Sequence, residues 1–360
     1  MQITKNQHYV PQCLLKFFSW EDKKERKTNV FDIPRYSFRY SQSIKKICSQ
    51  NYFYDTDNMV ENILSQKIEA PTAPLISSIV HHDTTVLDSS ENWIRLLIFV
   101  STLLSRTPKV MDRMDSIIQT NIQSISRELL RLNGMDSRNA DGVKLKIDDE
   151  APLISLLTLQ GYFASILLTD LKFHLAINKT ALDFFISDHP VFMYNWLYRD
   201  LDHPGITGFG TKGLQLFLPL SPRLMLCLYD PEIYRYGSKY SLLTDVHDVK
   251  DVGILNSFQA INSKSFVVFL DRKSETNIKS MLRHYGSKTL HMQKSIEYEV
   301  EVLGNETVRT RHIVYSKQLK IGVMPSFVNV KRKADNSVYG VRNPEAFEYF
   351  SQLTQTNYSR

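Results

Sequence analysis

The spacing of apolar positions along this chain changes near residue 180. Before it, apolar residues recur every three or four positions, as in Ile94, Leu97, Ile98, Ser101 and Leu104, and again in Val110, Met114, Ile117, Ile118, Ile122 and Ile125. That is the period of helices that bury one face. Four helices are expected: Asn58 to Ser78 with a break or kink at Pro71, Ser90 to Ser105, Pro108 to Leu132, and about Pro152 to Ile177. Together they read as a bundle. Asn133 to Glu150, rich in Gly, Asp and Lys, is the exposed loop within it.

From Ala181 onward short β-type runs take over: Leu182 to Ser187, Val191 to Leu197, Leu214 to Leu220, Leu224 to Tyr229 and Phe266 to Leu270, with a helix from Asp245 to Ser257. Ile296 to Leu303 and Val308 to Tyr315 flank Gly304-Asn305 as a hairpin. A second hairpin, Asn29 to Ile33 and Tyr36 to Tyr40 around Pro34-Arg35, lies near the N-terminus. The fold class is therefore α+β, a helical bundle in the first half packed against a mixed β-sheet in the second half. Four segments follow, 1–57, 58–180, 181–325 and a basic tail 326–360 ending in an amphipathic stretch, read as one integrated domain.

Composition narrows the class. A chain of 360 residues with 42% hydrophobic content can fill a sizeable core. Cys13, Cys48 and Cys227 are far apart and form no Cys-x-x-Cys, so neither a disulfide framework nor a thiolate zinc site is expected. The N-terminus carries no signal-peptide pattern, and Trp93 to Leu104, taken as the best apolar window, is interrupted by Arg95. A cytoplasmic protein without membrane partners is expected. The formal charge of +6 is compatible with DNA or RNA as partner and argues for it only weakly.

Candidate chemistry begins with Asn6-Gln7-His8-Tyr9-Val10-Pro11, where Pro11 can open a helix whose Leu14, Leu15 and Phe18 face a core. His8 then sits at a strand-to-helix junction, as a base, a metal ligand, a phosphate contact or a ring that satisfies buried backbone groups. Glu61 stands three residues after Asn58, a capping-box spacing. Glu69, eight residues on and just before Ala70-Pro71, is the stronger functional candidate, since a residue before proline is pushed out of the α region and could turn its carboxylate inward. Arg106 is the first charge after ten uncharged residues, able to bind an anion or pair with Glu69. Asp188, followed by His189-Pro190, ends a strand, where side chains are offered to clefts or cap a turn. Ser221 lacks a hydrolase setting and reads as a turn residue. Asn256 is expected to bond across the domain, with a substrate contact as the other option. Gly205 to Gly213 fits no phosphate loop and suggests a lid beside the sheet.

Gln7-His8-Tyr9-Val10-Pro11, the helix holding Glu61 and Glu69, Arg106-Thr107-Pro108, Ser187-Asp188-His189-Pro190-Val191, Pro219-Leu220-Ser221-Pro222 and Asn256 together resemble the DUF4238 family, a domain of unknown function. The resemblance spans about residues 5 to 270. It implies a bacterial or phage-associated protein linked to defence loci and mobile elements, and it implies no particular reaction.

Two functions are expected from these positions. In the first, His8, Glu69, Arg106 and Asp188 form the catalytic site of a nuclease-like effector in a defence or toxin system, with Glu69 and Asp188 holding Mg²⁺ or Mn²⁺ and Gln7, Arg39, Lys45 and Asn256 contacting substrate. In the second, the same residues form an ionic network in a binding or sensor module, which meets nucleic acid or a neighbouring-gene protein. There Arg35, Arg39, Lys45 and Lys46, interleaved with Tyr36, Phe38 and Tyr40, offer phosphate contacts and stacking. The bland reading of that face is a solvated hairpin.

Overall fold

The structure is a computed structural model that describes residues 4–203, 205–285, 291–303, 307–332, 334–337 and 339–355; over 291–317 and 353–355 the description is of the backbone. The chain opens with β1 (Asn6–His8), which runs through Pro11 into a one-turn helix, α1 (Gln12–Leu15). Leu14, Leu15 and Phe18 are buried there as their spacing predicts. Strands β2 (Trp20–Asp22), β3 (Glu25–Asp32), β4 (Ser37–Ser43) and β5 (Ser49–Asn51) follow, with β1 pairing β5.

The helical part contains α2 (Met59–Asn62), a π-helical stretch at Ile63–Glu69, α3 (Ala70–Val80), α4 (Ser90–Ser105), α5 (Pro108–Leu132) and α6 (Ala151–Ala164). The break expected at Pro71 does not occur, and Glu69 and Ala70 keep helical backbone angles. A proline ring clashes with the carbonyl four residues before it, and the wider π-type winding just upstream gives that carbonyl room. Ser89 caps α4 through Asn92, and Pro108 sits in the first turn of α5, where its missing N–H costs nothing. Helices α4 and α6 cross closely at Gly161, where a Cβ would lie 2.8 Å from the Ser101 carbonyl oxygen and collide with Ser105. Only glycine fits there.

The helix expected to run from Pro152 to Ile177 stops early. It ends at Ala164, tightens over Ser165–Leu168, and gives way to β6 (Lys172–Asn178). Leu175, Ala176 and Ile177 are buried on both faces of a sheet, and a continuous apolar run of that kind carries no period to separate strand from helix. Next come β7 (Ile186–Ser187), β8 (Phe192–Asn195), β9 (Leu214–Ser221), β10 (Leu224–Tyr229), β11 (Tyr234–Tyr236) and β12 (Leu243–Val246). The chain continues through α7 (Val249–Asn262), β13 (Phe266–Phe269), α8 (Glu275–Tyr285), β14 (His291–Leu303), β15 (Thr307–Gln318), β16 (Val328–Val330) and α9 (Pro344–Gln355). Asp245 and Val246 thus belong to a strand, and α7 starts at Val249 behind its Asp248 cap.

The central sheet has the order β12-β6-β10-β9-β8, parallel at β12–β6 and antiparallel elsewhere. Its side chains alternate between two cores, as a strand period of two requires. Leu214, Leu216, Leu218, Leu224, Leu226 and Leu228 join the core of the helical half, while Phe217, Met225 and Cys227 join Val252, Leu255 and Phe258 of α7. The fold is α+β, with the N-terminal helices packed with a mixed-sheet region. A second sheet, β2-β3-β13-β7 with β4 on β3, ties the N-terminal hairpin to strands that arrive more than 140 residues later.

Candidate functional site

His8 ends β1 with its Nε2 3.2 Å from the Ile44 carbonyl oxygen, and the Tyr54 hydroxyl donates to the His8 carbonyl at 3.1 Å. Burial lowers the pKa of His8, which also feels Glu69 and Arg106. Arg106, at the C-terminal end of α4, is completely buried and donates from Nη1 to Glu69 Oε1 at 2.8 Å. Among the described residues its buried Nε has no partner. Three residues distant in sequence therefore share one electrostatic neighbourhood. Cys13 borders it as a neutral thiol, pushed up to about 12 by burial and by Glu69.

Glu61 belongs here for a reason the sequence obscures. Asn58 takes a left-handed backbone conformation and its Oδ1 accepts from the Thr4 amide instead of capping the helix. Asp55 does the capping, accepting from the amides of Val60 and Glu61 at 2.5 and 3.3 Å. The expected capping box is absent, and among the described residues the Glu61 carboxylate makes no hydrogen bond or ion pair. Burial and the nearby Glu69 push its pKa up to about 7.

Asp188 goes elsewhere. Its two oxygens accept from the backbone amides of Lys264 at 2.8 Å and Ser265 at 2.6 Å, and burial raises its pKa. Glu69 holds Arg106 while Asp188 holds a turn, and among the described residues no group of three or more His, Cys, Asp and Glu side chains is placed to hold a metal ion. This corrects the nuclease and hydrolase terms, which no cluster of metal-binding side chains supports among the described residues; Glu69 and Asp188, the carboxylates expected to hold Mg²⁺ or Mn²⁺, are each bonded within the fold. A strand-end carboxylate looks free in sequence because the amides that occupy it arrive 76 and 77 residues later.

Three of the four expected substrate contacts bond within the fold through their side chains. Gln7 is fully buried, its amide nitrogen donating to the Asp55 carbonyl oxygen and Oδ1 at 2.9 Å and its oxygen accepting from Tyr54 N at 2.8 Å. Asn256, also fully buried, accepts from Phe185 N and donates to the Asp183 carbonyl. Arg39 bonds Asp32 and Gln42. Lys45 is exposed beside β1, where its carbonyl accepts from Asn6. On the hairpin, Lys279 lies over the Phe38 ring and the Arg272 guanidinium 3.9 Å over the Tyr40 ring. Those two ring faces are covered from within the chain.

The Arg106-Thr107-Pro108 and Asp188-His189-Pro190 segments meet at a hydrogen bond of 2.5 Å between Thr107 Oγ1 and His189 Nδ1. Beyond it lies a cavity of about 820 Å³. His189 borders it, held neutral with its pKa pushed down to about 3 by burial and by the neighbouring Lys109 and Arg113. Lys109 and Arg113, one turn apart on α5, line the same cavity. Lys109 donates to the Ile261 carbonyl at 2.8 Å, and burial pushes its pKa down to about 8. Burial likewise lowers Arg113, which makes no hydrogen bond or ion pair among the described residues. The one carboxylate on the wall, Asp112, is paired with Lys264 at 2.6 Å. Sequence reading passed over both cations, although a signal existed: cations near a helix N-terminus oppose its dipole, and the first turn of α5 has no acid to offset them.

The glycine-rich loop 205–213 supplies wall residues including Phe209 and Thr211. It is tied down, since Arg342 donates from its backbone to the Gly210 carbonyl at 2.8 Å and from its side chain to the Phe209 carbonyl at 2.6 Å. The loop expected as a lid forms part of the cavity wall here. Phe347 and Phe350 of α9 complete the cavity.

One helical segment, Ala151–Leu168, is long and apolar enough to cross a membrane, by length and composition alone. This corrects the expectation that no such window exists, which looked to Trp93–Leu104 and overlooked a charge-free stretch. A buried core helix passes the same test.

A mixed sheet packed with helices, an internal Arg–Glu pair and a cation-lined cavity define an α+β protein built around two polar centres. The chain belongs to the DUF4238 family of proteins of unknown function, whose sequence profile matches residues 6–273. No curated protein and no solved structure matches it.

Proposed function

We propose that this protein is a ligand-binding module whose site is the cavity beside α5, and that its ligand is an organic anion. The observation that carries this reading is the placement of Lys109 and Arg113 on one wall without a carboxylate bonded to either among the described residues. A desolvated cation with no carboxylate bonded to it is costly to keep, so two side by side favour an anion that completes them. Neutral His189 adds a hydrogen-bonding ring without adding charge to neutralise. Glu69, Arg106, Asp188, Gln7 and Asn256 support the same reading from the other direction, because each is engaged in holding the fold.

Native mass spectrometry of the purified protein tests the proposal. A small-molecule adduct on the wild type, missing from a Lys109→Met/Arg113→Met double variant with unchanged circular dichroism, is expected. Identical ligand-free spectra for both, unaltered by a panel of organic anions, would overturn it.

A further inference from the structure

We infer that the ligand is a single-chain amphiphile, an alkyl chain carrying one anionic head of the carboxylate or phosphate type. This rests on the cavity being the binding site and adds the class of molecule that fits it. The wall combines two cations with a large apolar share. Lys109 and Arg113 sit together, one helical turn apart, while Leu104, Leu157, Leu167, Val191, Phe209 and Phe347 supply much of the remaining lining. A volume of about 820 Å³ exceeds what a head group alone would occupy and lies within the range of small-molecule sites.

The polar groups on the wall argue against a sugar or a nucleobase, which need several free donors and acceptors. Ser105 donates to the Ser101 carbonyl, Thr211 to the Gly205 carbonyl, and Asn262 to the carbonyls of His189 and Val191. Beside the two cations, Ser116, Gln160, the Tyr339 hydroxyl and His189 Nε2 remain, few for a polyhydroxyl ring and enough to border a head group and chain. The ligand is therefore anionic at one end and apolar along most of its length.

A second, independent feature points the same way. Helix α6 lines the cavity with Leu157, Gly161 and Ala164, and its opposite face bears Leu156, Leu159, Tyr162 and Phe163, with Leu156 54% and Phe163 55% exposed. The cavity thus lies one helix away from an apolar surface stripe, within the 18-residue charge-free segment Ala151–Leu168. An alkyl chain is compatible with both faces of that helix. A short hydrophilic anion would have use for neither.

Isothermal titration of the full chain with dodecanoate, dodecyl phosphate, dodecanol, acetate and inorganic phosphate, all below micelle-forming concentrations, tests the inference. Both amphiphiles are expected to bind, with Lys109→Gln and Arg113→Gln each weakening them about tenfold or more, the value of a lost charge-assisted hydrogen bond. Acetate and phosphate should bind at least a hundredfold more weakly than their dodecyl counterparts. The preference between dodecanoate and dodecyl phosphate distinguishes a fatty-acid-like from an alkyl-phosphate-like source. If acetate or phosphate binds as tightly as the amphiphiles, the class is wrong and the cavity reading survives. If the amphiphiles bind both variants as well as the wild type, they coat the α6 stripe and the inference fails. If no anion binds and the native spectra also show no adduct, both readings fall together.

Discussion

Arg106 and Arg113 stand seven residues apart, and the protein treats their charges in opposite ways. Arg106 is completely buried and bonded to Glu69 at 2.8 Å, in a setting closed off by His8, Tyr54 and Cys13. Arg113, with Lys109 beside it, is half-buried against a cavity and has no carboxylate bonded to it among the described residues. A cation that has found its acid inside a protein is costly to disturb, and it organises the elements that meet around it. A cation kept from solvent without an acid is costly to keep, and it marks a place where something else belongs. The first region is thus read through stability and the second through binding.

The comparison can be broken most directly at Glu69. Glu69→Ala leaves Arg106 buried and unpaired and is expected to cost about 3–5 kcal/mol. The urea midpoint measures it, and adding Arg106→Met should recover much of the loss. Unchanged stability would mean that the pair is a free functional site after all. Asp188→Ala, which strips two backbone amides of their acceptor, is expected to cost roughly 2–4 kcal/mol, with Asp188→Asn milder because one oxygen remains. Both Asp188 variants should keep whatever ligand affinity the cavity has.

On the cavity side the expected pattern reverses. Lys109→Gln and Arg113→Gln should leave the midpoint unchanged or slightly raised, since each removes a desolvated charge, while ligand affinity falls about tenfold. A large loss of stability in either would erase the contrast between the regions.

The pH dependence sharpens it further. Lys109 has its pKa lowered from 10.5 to about 8 in the folded protein, so between those values the unfolded chain binds more protons and stability rises with pH. Anion affinity should move the other way, falling as pH rises through and above about 8, while Arg113 stays charged. The charged groups around Lys109 are Arg113, Asp112 with its partner Lys264, and Asp188; His189 remains neutral throughout that window. Titrating affinity from pH 7 to 10 in wild type and Lys109→Gln checks this, and a flat wild-type curve would contradict it. An effect of opposite sign is expected at Glu61, whose pKa rises from 4.5 to about 7 on folding. The folded state then holds its proton longer, so stability declines as pH rises from about 4.5 to 7. Glu61→Gln should flatten that slope in a thermal-unfolding series.

Much of the architecture was legible because burial imposes a period. Helices α4 and α5 and strands β9 and β10 lie close to where their apolar spacing places them. Strand β6 was not, since a segment buried on both faces shows a run instead of a rhythm. At the candidate site, the association of Arg106 with Glu69 could be anticipated from a charge ending an apolar helix. The fate of Asp188 could not, because its partners are backbone amides that any sequence supplies. Glu61 was assigned to a cap that Asp55 provides, a substitution of neighbours that depends on Asn58 adopting a positive φ of 67°. Lys109 and Arg113 were passed over because each is unremarkable alone. Their meaning comes from the sheet and the C-terminal helix that enclose them.

The π-helical stretch Ile63–Glu69 gives this region an unusual sensitivity to chain length. Such a stretch accommodates about one residue more than α-helical winding would over the same rise. Deleting one residue within 63–69 would rewind the stretch as α-helix and leave Glu61 and Glu69 on nearly the same faces, because tighter winding offsets the lost step. It would also take away the room that the carbonyl four residues before Pro71 has in the wider turn, and the helix would kink there although every flanking side chain would still be present. The unbroken passage through Pro71 is thus a matter of counting.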